Sequence, residues 1–179
     1  MIYHNRSRGY TLIELIISIL LMGIVASLLA SIIAVNFDTL AEVSNRKKLV
    51  TRGMLAVNLF QRELGMLIDS TNFVIANDQQ LQFNDKYGNT WEYKITSNEF
   101  TRQEIGVGTA KVLAAPVVHA NTEFTYYAAD NSVLASTPLS EANRKLIRLV
   151  KLVLVMDDGD SGIPLLSVVY PENMKIYNP

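Results

Sequence analysis

The chain has no cysteine. That removes thiolate metal sites, a cysteine nucleophile and any disulfide framework from the list of chemistries it can run. Histidine is scarce too, at two residues, His4 and His119. An excess of charge of either sign is also missing. Sixteen Lys and Arg against seventeen Asp and Glu leave a formal net charge of −1, so no global field steers the chain towards nucleic acid or anionic lipid. Neither an internal repeat nor a low-complexity segment is present. No proline interrupts Leu15 to Val35. At 179 residues the length suits one anchored domain.

What is present in excess is a single apolar run. Behind a short leader with Arg6 and Arg8, the stretch from Arg8 to Val35 is almost wholly apolar or small, and Glu14 is the one carboxylate between Tyr10 and Phe37. About twenty such residues, rising 1.5 Å each, cross the ~30 Å hydrocarbon core of a bilayer. The run is too long for the apolar core of a secretory signal peptide. A carboxylate inside it is costly in lipid, so Glu14 needs a partner. Orientation is not fixed by charge, because Arg46, Lys47 and Lys48 oppose Arg6 and Arg8 in the positive-inside count. Small residues recur at every fourth position, with Gly23, Ser27 and Ser31 in one row and Ala26, Ala30 and Ala34 beside it. Such rows let helices approach closely in lipid.

Past Phe37 the helical period continues but turns amphipathic. Val43, Val50, Val57 and Leu64 recur every seventh residue, flanked by Met54, Phe60, Leu67 and Ile68, while Arg46, Lys47, Lys48, Arg52, Arg62 and Glu63 fall mostly on other faces. This predicts one helix from about Tyr10 to about Ile68, its second half laid against a core, with Gly53 its one weak point. From Phe73 the period becomes two. Phe73–Ala76 and Leu81–Phe83 read as a hairpin, and Trp91, Tyr93 and Ile95 share one face of a strand over 90–95. Phe100 to Arg102 extends the meander. Lys111 to Val118 is a weaker strand that Pro116 confines to an edge. Phe124 to Ala128 is another strand. Asp130 to Asn143 is a long loop with a helical turn near Ser140, and Leu146 to Met156 pairs with Ile163 to Tyr170 across a polar turn. The fold class is therefore α+β, a long N-terminal helix packed on an antiparallel β-sheet, divided as 1–9, 10–36, 37–68 and 69–179.

Gly9, Tyr10 and the following Thr11-Leu12-Ile13-Glu14-Leu15-Ile16 resemble the class III leader and N-terminal helix of type IV prepilins and type II secretion pseudopilins. The resemblance implies cleavage between Gly9 and Tyr10 by a membrane-embedded prepilin peptidase, with N-methylation of Tyr10, where the family usually has Phe. It makes Glu14 the helix glutamate of the family, whose carboxylate in one subunit meets the Tyr10 amine of its neighbour. Two opposite charges in low dielectric offset one another where each alone costs several kcal/mol. The row Gly23, Ser27 and Ser31 would be a helix-packing face. The expected partners are the peptidase, other pilin or pseudopilin subunits, the inner-membrane assembly platform and membrane lipid. The expected location is a single-pass place in a bacterial inner membrane, leader in the cytoplasm and soluble domain in the periplasm, then a filament. Length, element order and the helix-exit sequence from Asn58 to Leu64 resemble the larger minor subunits, the J-type pseudopilin and the W-type minor pilin. The implied role is a structural subunit near a filament tip and not an enzyme.

Other chemistry is thinly supported. Gly159, Asp160, Ser161 and Gly162 resemble the nucleophile loop of trypsin-like proteases, but His119 lacks that family's surroundings and a triad needs a base oriented by a buried acid. Asp157, Asp158 and Asp160 form a weak calcium candidate without the spacing of a helix–loop–helix site; no other cofactor is expected. Trp91, Tyr93, Tyr126 and Tyr127 sit at strand spacing and read as core, and without a basic groove nucleic acid is not an expected partner. Two alternatives stay open at this stage. One is a membrane-tethered periplasmic binding or enzymatic domain that never assembles, and the other is an adhesin or DNA-uptake pilin.

Overall fold

A computed structural model describes residues 11–135 and 137–171 of the chain. Gly9 and Tyr10, the leader and the tail from Glu172 lie outside the described residues. A single helix, α1, spans Leu12–Gly65. Thr11 sits before its first turn and accepts the Glu14 backbone N–H at 3.3 Å, one of the two bonds of a capping box in Thr-x-x-Glu spacing. The chain divides into two units, Met1–Asn45 and Arg46–Pro179.

In the first unit every described residue is exposed. The helix is long and apolar enough there to cross a membrane. Its few hydroxyls are satisfied internally: Ser18 donates to the Glu14 carbonyl, Ser27 to that of Ile24 and Ser31 to that of Leu28, each at 2.8 Å. Back-bonding of this kind removes the cost of carrying a hydroxyl into lipid.

In the second unit the remaining helix turns lie against two antiparallel sheets. Strands β1 (Phe73–Ala76), β2 (Gln80–Asn84), β3 (Thr90–Ile95), β4 (Phe100–Glu104) and β5 (Lys111–Ala114) form a meander in that order. Strands β6 (Glu123–Tyr127), β7 (Leu149–Met156) and β8 (Ile163–Val169) form a separate three-stranded sheet. A meander followed by a C-terminal hairpin is what the sequence predicts. The ladder breaks because β5 ends just before Pro116, which has no N–H to donate; the chain then crosses to β7, where the Val118 N–H meets the Val155 carbonyl at 2.8 Å. Between β6 and β7, Ser140 caps a one-turn helix, α2 (Glu141–Arg144).

Phe60 of α1 joins the two sheets. Its ring stands 5.1 Å from Tyr93 of β3, edge to face, and 5.8 Å from Phe124 of β6. Phe83 and Phe100 stack on Tyr93 from either side at 6.3 and 5.7 Å. Such pairs add roughly 0.5–1.5 kcal/mol each beyond burial. Trp91, Tyr93 and Ile95 are all buried, as their alternation requires.

The helix stripe differs from the expected one. Met54 is exposed at 53% and Ile68 at 45%, whereas Gly53, Ala56, Val57, Phe60, Glu63 and Leu64 form the buried face. Gly53 is a contact point and not a weak point. A Cβ built on it would fall 2.3 Å from Leu165 Cδ1 and 3.0 Å from the Met156 side chain. Helix and β7–β8 hairpin approach this closely because glycine has no side chain. Gly53→Val is expected to destabilise the second unit by about 1–3 kcal/mol through overpacking, read as a lower urea midpoint at unchanged slope.

Candidate functional site

The expected site at the start of α1 is partly in view. Glu14 lies in the first helical turn, fully exposed, and its carboxylate has no hydrogen-bond or ion-pair partner among the described residues. Gly23, Ser27 and Ser31 lie on α1 with open space around the glycine, so that row presents a small surface and spent hydroxyls. The polar gain available from this face is therefore small, whereas rows of small residues in general allow close backbone approach. Gly9 and Tyr10, the expected cleavage and methylation positions, lie outside the described residues.

Residues 4–30 match a family model, the prokaryotic N-terminal methylation motif. Among curated proteins none matches the chain. The match covers the leader from residue 4, both expected processing positions, Glu14 and most of the apolar run. It supports a pilin-like chain that is processed by a prepilin peptidase and anchored by one membrane-spanning helix. The methylation motif says nothing about residues 31–179, whose chemistry has to be read from the second unit.

There the turn between β7 and β8 organises its own acids. Asp158 accepts the backbone N–H groups of Gly162 at 2.9 Å and Asp160 at 3.2 Å, and pairs with Arg46 Nη2 at 3.3 Å. These two amides, in that order, with Arg46 behind them, hold the Asp158 carboxyl below the usual carboxylate range. Asp157 accepts from the Gly159 N–H at 2.9 Å. Glycines at φ +84° and +75°, Gly159 and Gly162, shape the turn; a Cβ on Gly162 would come within 2.7 Å of Val155 Cγ1. Of the calcium candidate, the Asp157 and Asp158 carboxylates are thus engaged by the turn and by Arg46, while Asp160 contributes its backbone N–H. Among the described residues no three His, Asp or Glu side chains converge, and no hydrogen bond joins Ser161 to His119.

Sequence reasoning missed a polar network inside the second unit. Glu63, assigned to an outer helix face, is 3% exposed. It takes Arg102 Nε at 2.9 Å and Nη2 at 2.6 Å, and the Tyr93 hydroxyl at 2.6 Å. Arg102 also lies over the Trp91 ring, 3.9 Å from its centroid. Burial first, then the neighbouring carboxylate, drives the Tyr93 phenol far above its ordinary value, so it stays a donor at every pH the fold survives. Trp91 Nε1 donates to Asp85 at 2.9 Å. The partners lie 30 and 39 residues from Glu63 in sequence, beyond what a local period can reveal.

Asp85 closes the β2–β3 turn. Burial pushes its carboxyl up, but bonds from Trp91, Asn89 and Tyr87 outweigh burial and leave it below the usual range. A carboxyl depressed in the fold adds stability above its unfolded value of about 3.9, and that stability is lost as pH falls through the lower folded value. Trp91 is the one tryptophan, so its fluorescence reports this corner. Urea titrations are expected to show stability falling below about pH 4, with a shallower fall in Asp85→Asn.

Proposed function

We propose that this chain is a minor pilin or pseudopilin, a structural subunit of a type IV pilus or a type II secretion pseudopilus that acts by packing and not by catalysis. The observation that carries the reading is the state of α1 before Arg46. Its apolar part, from Leu12 to Val35, is exposed throughout and bears a single carboxylate, Glu14, four residues after the candidate new N-terminus and without a partner among the described residues. Lipid covers the apolar side chains, but lipid offers Glu14 nothing. The α-amine of a processed neighbour does, at a fixed axial offset. The small row Gly23, Ser27 and Ser31 then faces a sister helix.

The second unit supplies specificity. Its long loop over 130–143 and the rigid turn from Asp157 to Gly162 would meet sister subunits, and the long helix followed by meander and terminal hairpin resembles the J-type and W-type subunits near a filament tip. In this reading the domain lies in the periplasm and the leader in the cytoplasm. The test is fractionation in a host with an active pilus or secretion machinery. The processed chain is expected in sheared or detergent-resistant filaments, with Gly9 and Glu14 both required. A chain confined to the membrane fraction, indifferent to substitution at both positions, would be a tethered domain instead.

A further inference from the structure

The β4–β5 hairpin at the edge of the five-stranded sheet carries a cleft of about 150 Å³, lined by Arg102, Glu104, Val107, Gly108, Thr109 and Lys111. That is below the ~300–1,000 Å³ of pockets for drug-sized ligands, so any occupant is small. Arg102 and Lys111 are direct cross-strand partners and therefore project from the same face. Like charges so placed repel unless an anion lies between them. Glu63 answers part of that need, engaging Arg102 through Nε and Nη2, but nothing answers Lys111. Neither the Lys111 ammonium nor the Glu104 carboxylate has a partner among the described residues, although both line the same cleft.

The walls are held. Arg102 is fixed by Glu63 and by its stack on Trp91. The loop that closes the cleft turns at Gly106, with φ +87°, and is tied back by Gln103 Nε2 to the Gly108 carbonyl at 2.7 Å. A preorganised guanidinium loses little freedom on binding an oxyanion. Two cations and an unmatched carboxylate lining one cleft do not suit a plain anion, which Glu104 would repel.

We infer that this cleft binds a small zwitterion of the α-amino acid class. Its carboxylate lies between Lys111 and Arg102, and its ammonium faces Glu104. The site is independent of whether the chain assembles, since none of its residues lies on the apolar helix.

The test is an amide-resolved NMR titration of the full chain in detergent micelles with glycine, using acetate and methylammonium as half-ligands. Glycine is expected to shift the amides from Gly106 to Lys111 saturably, with a dissociation constant on the order of 1 mM. Lys111→Gln should weaken glycine and acetate alike by about tenfold, the loss of one charge-assisted contact. Glu104→Gln should weaken glycine by a similar factor while leaving acetate unchanged or stronger. Unchanged spectra away from the hairpin would show that both variants fold. The assignment is overturned if glycine gives no saturable shift, or if the two variants leave its titration unaltered. Acetate binding as tightly as glycine, with Glu104→Gln neutral, would equally overturn it.

Discussion

Arg102→Leu should lower the unfolding free energy of the second unit by about 3–5 kcal/mol, the cost of stranding one member of a buried ion pair. Glu63 has a side chain 4% exposed, while that of Arg102 is 19% exposed. The charge left behind is thus the better buried of the two, which is the case where stranding costs most. The Tyr93 hydroxyl would remain on the stranded carboxylate, but one neutral donor cannot replace a bidentate guanidinium. The removal also strips the cation from the Trp91 ring. Glu63→Leu combined with Arg102→Leu is expected to be more stable than Arg102→Leu alone, because replacing both members of a buried pair by apolar groups is often nearly neutral. Urea denaturation followed by Trp91 fluorescence reads both variants. A loss under about 1 kcal/mol in Arg102→Leu would place the pair among exposed bridges of little worth.

Glu14→Ala should abolish filament incorporation, by about 100-fold or more, without changing processing or the stability of the second unit. In lipid the α-amine of a neighbouring subunit would lose its counter-charge, and an unpaired charge in such surroundings costs about 3–5 kcal/mol, which converts at 1.4 kcal/mol per tenfold. The half capping box gives an alternative role for Glu14, and the two separate cleanly. The N-cap bond uses the Glu14 backbone N–H and the Thr11 hydroxyl, both of which survive Glu14→Ala. Loss of the cap through Thr11→Val would cost only about 1 kcal/mol of helix stability. Equal incorporation of Glu14→Ala and wild-type chains, measured by quantitative immunoblot of sheared filaments, would contradict the pairing role.

Much of the fold could be read in advance because periodicity is a local property. The alternation Trp91, Tyr93, Ile95 announces its strand, and the change of period near Phe73 marks where helix gives way to sheet. The β7–β8 hairpin is legible from two apolar runs around a glycine- and aspartate-rich turn. The failures have one physical origin, which is that long-range partners decide them. Glu63 is charged and in sequence reads as part of an outer helix face, yet Arg102 from β4 makes its burial tolerable. Met54 fits the seven-residue stripe but points away, because the close approach of Leu165 at Gly53 sets how the helix is rotated on its sheets. Lys111 and Glu104 carry no sequence signal at all; only the hairpin register brings them to one cleft.

The central claim is that the chain is cut after Gly9, and intact mass with N-terminal sequencing of protein recovered from membranes tests it most directly. The expected product begins at Tyr10 and is one methyl group heavier than the unmodified chain. A chain still beginning at Met1, in a host with an active prepilin peptidase, would contradict the claim and leave α1 as a plain anchor.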